Sequence, residues 1–219
     1  MLKPAGEPTA RDWAVRAGLT AVLVLVCVRY LDLPLARLVQ SHLYVDSGWA
    51  EVTSDLPDLL LQLVLFTTTV SLVLYRVRLG RGQQGALTQL ARQLAWTGPA
   101  AYLAKALLKL VFGRINTRVW LEQPTQHGFY WFQHRQGCEG FPSGHMMVVV
   151  ALMSALCRYY PAWRPCCIIV GFLLGVALIA TDYHFLADVV AGIFFGVLVE
   201  TGVWFAVQRA VRVSRGPAS

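Results

Sequence analysis

Six stretches of this chain, at residues 13–31, 56–75, 87–111, 144–160, 165–181 and 185–207, run on apolar side chains with little to interrupt them. A hydrocarbon layer about 30 Å thick is crossed by about 20 helical residues. Backbone groups inside that layer must satisfy one another, which leaves helices as the economical solution for isolated apolar runs. The composition agrees, since 56% hydrophobic residues with 14% charged ones are too apolar for a soluble core. The expected fold class is all-α: a polytopic membrane protein, a six-transmembrane-helix bundle forming a single domain over residues 1–219. The first run could pass for a signal peptide, but Arg29, Asp32 and Pro34 follow it where a small-residue cleavage site would stand, so it reads as an uncleaved first span.

Charge then sets the orientation, because Lys and Arg concentrate in cytoplasmic loops. Lys3, Arg11 and Arg16 precede the first run, Arg76, Arg78, Arg81 and Arg92 flank the turn between the second and third, Arg158 and Arg164 lie between the fourth and fifth, and Arg209, Arg212 and Arg215 follow the sixth. The opposite side carries Asp32, Asp46, Glu51, Asp55 and Asp58. Both termini are therefore expected in the cytoplasm, and the net charge of +7 reflects topology. A nucleic-acid partner would need a basic patch on a soluble face, which this pattern does not offer.

Several local signals are structural. GRGQQG at 80–85 has the spacing of a dinucleotide-binding loop, but that loop must follow a strand and open a helix, whereas this one sits in a basic turn between spans. Cys27, Cys138, Cys157, Cys166 and Cys167 give no disulfide framework and read as free thiols. His127, His134 and Cys138 share a loop without zinc-ligand spacing, so no metal is expected. Gly171 with Gly175, and Gly192 with Gly196, are small residues four apart that allow helices to approach closely.

The remaining ionisable residues sit at the outer ends of three spans. Lys105 and Lys109 share a helix face near the end of the third run, with Arg114 and Arg118 following. His145 opens the fourth, and His184 and Asp188 lie between the fifth and sixth. The legs from His145 to Pro161 and from Pro165 to His184 each traverse roughly 24 to 29 Å as helix, so both histidines return to the same face. In FPSGH, at 141–145, Ser143 is placed to cap a helix, Gly144 permits close backbone approach, and the unpaired N–H groups of the first turn favour an anion. With Lys109 and Arg114 alongside, phosphate is the natural occupant. His184 and Asp188 are four apart, so the carboxylate can orient one imidazole nitrogen and leave the other as a nucleophile, with His145 as general acid.

PSGH at 142–145, HFLAD at 184–188 and KLVFGR at 109–114 resemble the type 2 phosphatidic acid phosphatase (PAP2) superfamily over residues 103–196. The resemblance implies a six-helix bundle of PAP2 type and a metal-independent reaction without cofactor. It implies His184 as a nucleophile forming a phosphohistidine, Asp188 as its orienting carboxylate, His145 as the acid, and Ser143, Gly144 and Lys109 as phosphate ligands. Two family arginines are missing, at Asn116 and Leu178, and Arg114, Arg118 or Lys105 is expected to compensate, with Arg114 the largest contributor. The expected function is an integral-membrane lipid phosphatase acting on a phosphomonoester or pyrophosphate at the periplasmic face of a bacterial inner membrane. Isoprenoid pyrophosphate, phosphatidic acid, phosphatidylglycerol phosphate and phosphorylated lipid A are the substrates considered. Lipid-to-lipid phosphotransfer and an inactive lipid-phosphate binder are the alternatives. The sequence sets no oligomeric state.

Overall fold

The structure, a computed structural model, describes residues 9–43, 56–125, 127–133 and 137–214. The acidic residues Asp46, Glu51 and Asp55, together with Lys3, His134 and Arg215, lie outside the described residues, as does the side chain of Asp58. Among the described residues the secondary structure is helical. α1 spans Ala10–Val26, α2 Asp32–Leu43, α3 Leu56–Gly80, α4 Ala86–Phe112, α5 Thr117–Glu122, α6 Gly144–Tyr159, α7 Arg164–Ala180 and α8 Leu186–Ser214.

Local chemistry accounts for the ends of these helices. Thr9 and Asp12 form a reciprocal capping box that starts α1. The glycine-rich segment after α3 is a helix–helix turn: Gly82 has φ +69°, the Gln83 N–H donates to the Arg78 carbonyl, and Gly85 caps α4. YYPAWRP makes a short 3-10 turn at Pro161–Trp163 and reverses the chain into α7.

The first span differs from its sequence-based boundary. The helix does not stop before Asp32; a π-helical turn at Cys27–Leu31 joins α1 to α2, and Asp32 keeps helical dihedrals of φ −60° and ψ −53°. Its N–H reaches the Cys27 carbonyl five residues back. Pro34 then lies inside the continuous helix just after the π-helical turn, a local departure from the α-helical ladder of the kind a proline in a helix interior brings.

Four helical segments, Ala10–His42, Leu59–Gly80, Pro161–Ala180 and Leu186–Val213, are long and apolar enough to cross a membrane, and Gly144–Tyr159 is a shorter apolar helix. α6 is the axis of the packing: Met146, Met147, Val148, Ala151 and Ala155 are fully buried. α8 lies against it because Gly192 and Gly196 remove the obstacle; a Cβ at either would press on the Ser143 or Met147 carbonyl oxygen, at 2.8 and 2.6 Å. Gly175 faces the side chains of Met146 and Val189, which a Cβ would approach to 3.2 and 3.3 Å, but Gly171 faces no neighbour within 4 Å, so the Gly171–Gly175 pair supports close packing at only one of its positions. Outward-facing Phe66, Ile168 and Phe172 are each about two-thirds exposed or more, a surface that suits lipid rather than water.

Candidate active site

Three chain segments meet at one end of the bundle. α4 ends where Gly113 adopts a left-handed cap, φ 52° and ψ 41°, its N–H donating to the Lys109 carbonyl. Any side chain at Gly113 would collide with the Tyr130 carbonyl, so the loop folds back closely over the helix end. Asn116 N–H donates to the Gly137 carbonyl and Gly140 N–H to the Arg114 carbonyl, both at 2.8 Å, which fastens the loop against the start of α5. Asn116 itself caps α5 by accepting from the Val119 N–H.

The second segment is the start of α6. Ser143 Oγ accepts from the Met146 N–H at 3.4 Å, the N-cap expected from the sequence. A Cβ on Gly144 would overlap the Lys105 side chain, which explains why glycine stands there: the lysine crosses the helix end at the distance of a bare backbone. The Ser143 N–H donates to the Asp188 carbonyl at 3.0 Å and ties this segment to the third.

The third is the turn from α7 to α8. His184 is buried, its N–H held by the Leu178 carbonyl at 3.1 Å. Nδ1 lies 3.6 Å from Asp188 Oδ2, a little beyond a hydrogen bond, and neither ring nitrogen has a hydrogen-bond partner. Burial pushes the His184 pKa down, against the opposing pull of Asp188, and so favours the neutral imidazole that a nucleophile requires. Asp188, fully buried, accepts from Arg114 Nη1 at 2.5 Å through Oδ1 and from the Phe185 N–H at 2.9 Å through Oδ2. His145 stands across from this pair, its ring centre 6.4 Å from that of His184 and 5.4 Å from that of Tyr183.

A cavity of about 420 Å³ opens between these segments. Lys105, Lys109, Arg118, Gly144, His145 and His184 line it, together with Asn116 and Glu139. Arg118 Nη2 donates to the Thr181 carbonyl at 3.2 Å, and its guanidinium lies 5.1 Å from the centre of the Tyr183 ring.

Arg114 is placed differently from its sequence-based expectation. It does not turn over the cavity but under it, buried to 4% exposure between the rings of Phe129 and Phe185. Nη1 binds Asp188 and Nη2 binds Asp32 at 2.6 Å. The physical reason is that two buried carboxylates need a cation more than the cavity does. Leu178, where a family arginine would stand, is buried against Met146 and Val189. Asp32 is the participant the sequence reading missed, having been assigned to an outer loop. An ionisable residue within a continuous apolar helix was the available signal, and the π-helical continuation hid it.

A sequence model of the PAP2 superfamily matches residues 91–212, more than half of the chain and all three of these segments. This chain belongs to the PAP2 superfamily. PAP2 relatives with assigned activities include a lipid A 1-phosphatase of Rhizobium johnstonii, 26% identical over 170 residues, covering 78% of this chain and 64% of the relative. A lipid A 1-phosphatase of Rhizobium etli is 31% identical over 84 residues, or 38% of this chain and 34% of the relative. The matched regions thus span less than two thirds of either relative's length. No solved structure matches this PAP2 chain.

Proposed function

We propose that this chain is an integral-membrane lipid phosphatase with six membrane crossings, its site at the periplasmic face, and a phosphorylated lipid A as its substrate. The observation that carries the reading is His184: a buried imidazole with no hydrogen-bond partner on either nitrogen, backed by Asp188 and opening on a cavity lined by two lysines and an arginine. The PAP2 assignment and the relatives' names support a phosphatase acting on a lipid phosphate. Placement of the site opposite the basic α3–α4 turn supports the periplasmic face.

In this mechanism the substrate phosphate rests on Lys105, Lys109, Arg118 and the N–H groups at the start of α6, with Ser143 and Gly144 shaping that helix end. His184 Nδ1–H turns toward Asp188, so Nε2 attacks phosphorus. The P–O bond to the sugar breaks as the P–N bond forms, and His145 protonates the departing oxygen. Water then attacks the phosphohistidine with His145 as base, the P–N bond breaks, and inorganic phosphate leaves. Each step uses groups of this chain and water.

Phosphate release from lipid A 1-phosphate, phosphatidic acid and undecaprenyl pyrophosphate in detergent tests the reading. Release from lipid A 1-phosphate together with an acid-labile phosphoenzyme is expected; label passing to a second lipid would identify a transferase, and neither outcome would leave a binder. In intact cells a cysteine at Thr125 of a cysteine-free variant should react with an impermeant thiol reagent and one at Gln83 should not. The reverse pattern overturns the orientation.

A further inference from the structure

Beneath the cavity one cation is held between two carboxylates. Arg114 spans Asp188 at 2.5 Å and Asp32 at 2.6 Å, and all three side chains are at most 5% exposed. The second oxygen of Asp32 accepts the Ala187 N–H at 3.0 Å, in the first turn of α8 next to Asp188. Asp32 thus grips both the guanidinium and the backbone that carries the His184–Asp188 turn, across separations of 82 and 155 residues. It lies outside the family match at 91–212, on the α1–α2 helix, and borders the same narrow gap as His184.

The charges explain why a second carboxylate belongs there. An arginine bonded to Asp188 alone would neutralise it and leave the His184 imidazole facing an ion pair rather than an anion. With Asp32 added, the trio carries a net negative charge, and Asp188 Oδ2, the oxygen nearest His184 Nδ1, keeps its pull on the ring. We propose that Asp32 is a positioning residue for the phosphatase reaction, fixing Arg114 beneath the site and preserving the negative charge that orients and supports His184. The proposal rests on the phosphatase reading above.

Other groups also act on His184. Lys109 from α4 opposes its protonation, His145 on α6 and Tyr183 in the same turn face it, Arg118 and Glu139 line the shared cavity, and Asp182 borders the gap behind it. Because those groups remain in every variant below, a shift in the pH profile reports the change at Asp32.

The test uses the full chain in detergent with lipid A 1-phosphate. Release that is lost in His184→Ala confirms the reading first; absence of His184-dependent release overturns that reading and this inference with it. Asp32→Asn is then expected to lower kcat by about 10-fold to 100-fold with KM changed by no more than about 3-fold. The acid limb of kcat/KM, which marks protonation of the nucleophile, should move to lower pH by about one unit, because a neighbouring negative charge has gone. Asp32→Asn/Arg114→Gln removes one charge of each sign, so its acid limb should return to the wild-type position. Unchanged kcat in Asp32→Asn overturns the proposal. So does loss of kcat with an unmoved limb, the signature of a merely structural role. If Asp32→Asn does not fold, judged by monodispersity, Arg114→Gln is compared with the double variant: an acid limb about one unit higher in Arg114→Gln, where Asp32 keeps its charge, supports the proposal, and coincident limbs overturn it.

Discussion

Each end of the helical bundle sets an arginine against a buried carboxylate, and the two clusters behave differently. At the end opposite the cavity, Glu200 on α8 receives Arg158 Nε at 2.7 Å and Nη2 at 2.6 Å, and Gln93 on α4 adds its amide at 3.3 Å to the same oxygen that Nε uses. The Arg158 guanidinium also lies 4.7 Å from the Trp204 ring centre. This bidentate pair locks α6 to α8, and its unsatisfied neighbour is the Tyr159 hydroxyl rather than an imidazole. At the other end the Arg114 cluster has a histidine pressed against it whose nitrogens are unsatisfied, and a cavity beyond. An ion pair by itself marks rigidity; an ion pair beside an unsatisfied imidazole in the wall of a cavity marks a candidate for chemistry.

The sharpest way to break this comparison is to remove one residue from each end. His184→Ala should lower phosphate release by about 10⁴-fold or more, with the fold retained, because it removes the proposed nucleophile. Arg158→Ala should leave kcat within about 3-fold and instead cost on the order of 2 kcal/mol of stability, since it strands a buried carboxylate. That value sits below the full penalty because the Arg158 side chain is 30% exposed. Steady-state kinetics with thermal unfolding in detergent reads both. Equal loss of activity in the two variants would erase the distinction.

The next effect concerns which guanidinium meets the phosphate. Arg118 lines the cavity and Arg114 does not, so Arg118→Ala should lower kcat/KM by about 100-fold, or about 2.7 kcal/mol, and weaken inhibition by orthovanadate. Arg114→Ala should lose kcat while orthovanadate still binds within a few-fold. Reversal of those two inhibition results would return the phosphate contact to Arg114.

The smallest effect sharpens the boundary of the cavity end. Asp182, buried in the turn before His184 with φ 49°, has its carboxyl pushed up to about 6 by burial, with Arg118 pulling the other way. A carboxyl whose pKa is raised on folding favours the native state at low pH. That advantage is complete below the unfolded value near 4 and is lost as pH rises through about 6. Asp182→Asn, which mimics the protonated form and tolerates positive φ, should therefore raise Tm by about 2 °C at pH 8 and leave it unchanged at pH 4. An equal shift at both values would show that Asp182 stays ionised.

The sequence by itself determined the helical runs, the cap at Ser143, the glycine approach at Gly192 and Gly196, and the four-residue spacing of His184 and Asp188. All of these are local: apolar period, cap chemistry and i, i+4 geometry act over a few residues, and their signal lies in contiguous letters. The helix start at 144, expected at the first residue after the cap, falls where Ser143 sets it. Only the tertiary structure decided where the arginines point. Arg114 and Arg118 are four residues apart in the sequence, and nothing in their spacing says that one goes beneath the site and the other onto its wall. That choice was made by Asp32, 82 residues away along the chain, because a buried carboxylate must be neutralised by whatever cation folding brings within reach. The first span's continuation through Pro34 was hidden for a related reason. A π-helical turn is a matter of five-residue hydrogen bonding inside packed surroundings, and proline and aspartate, read alone, signal an end where the packed helix carries on.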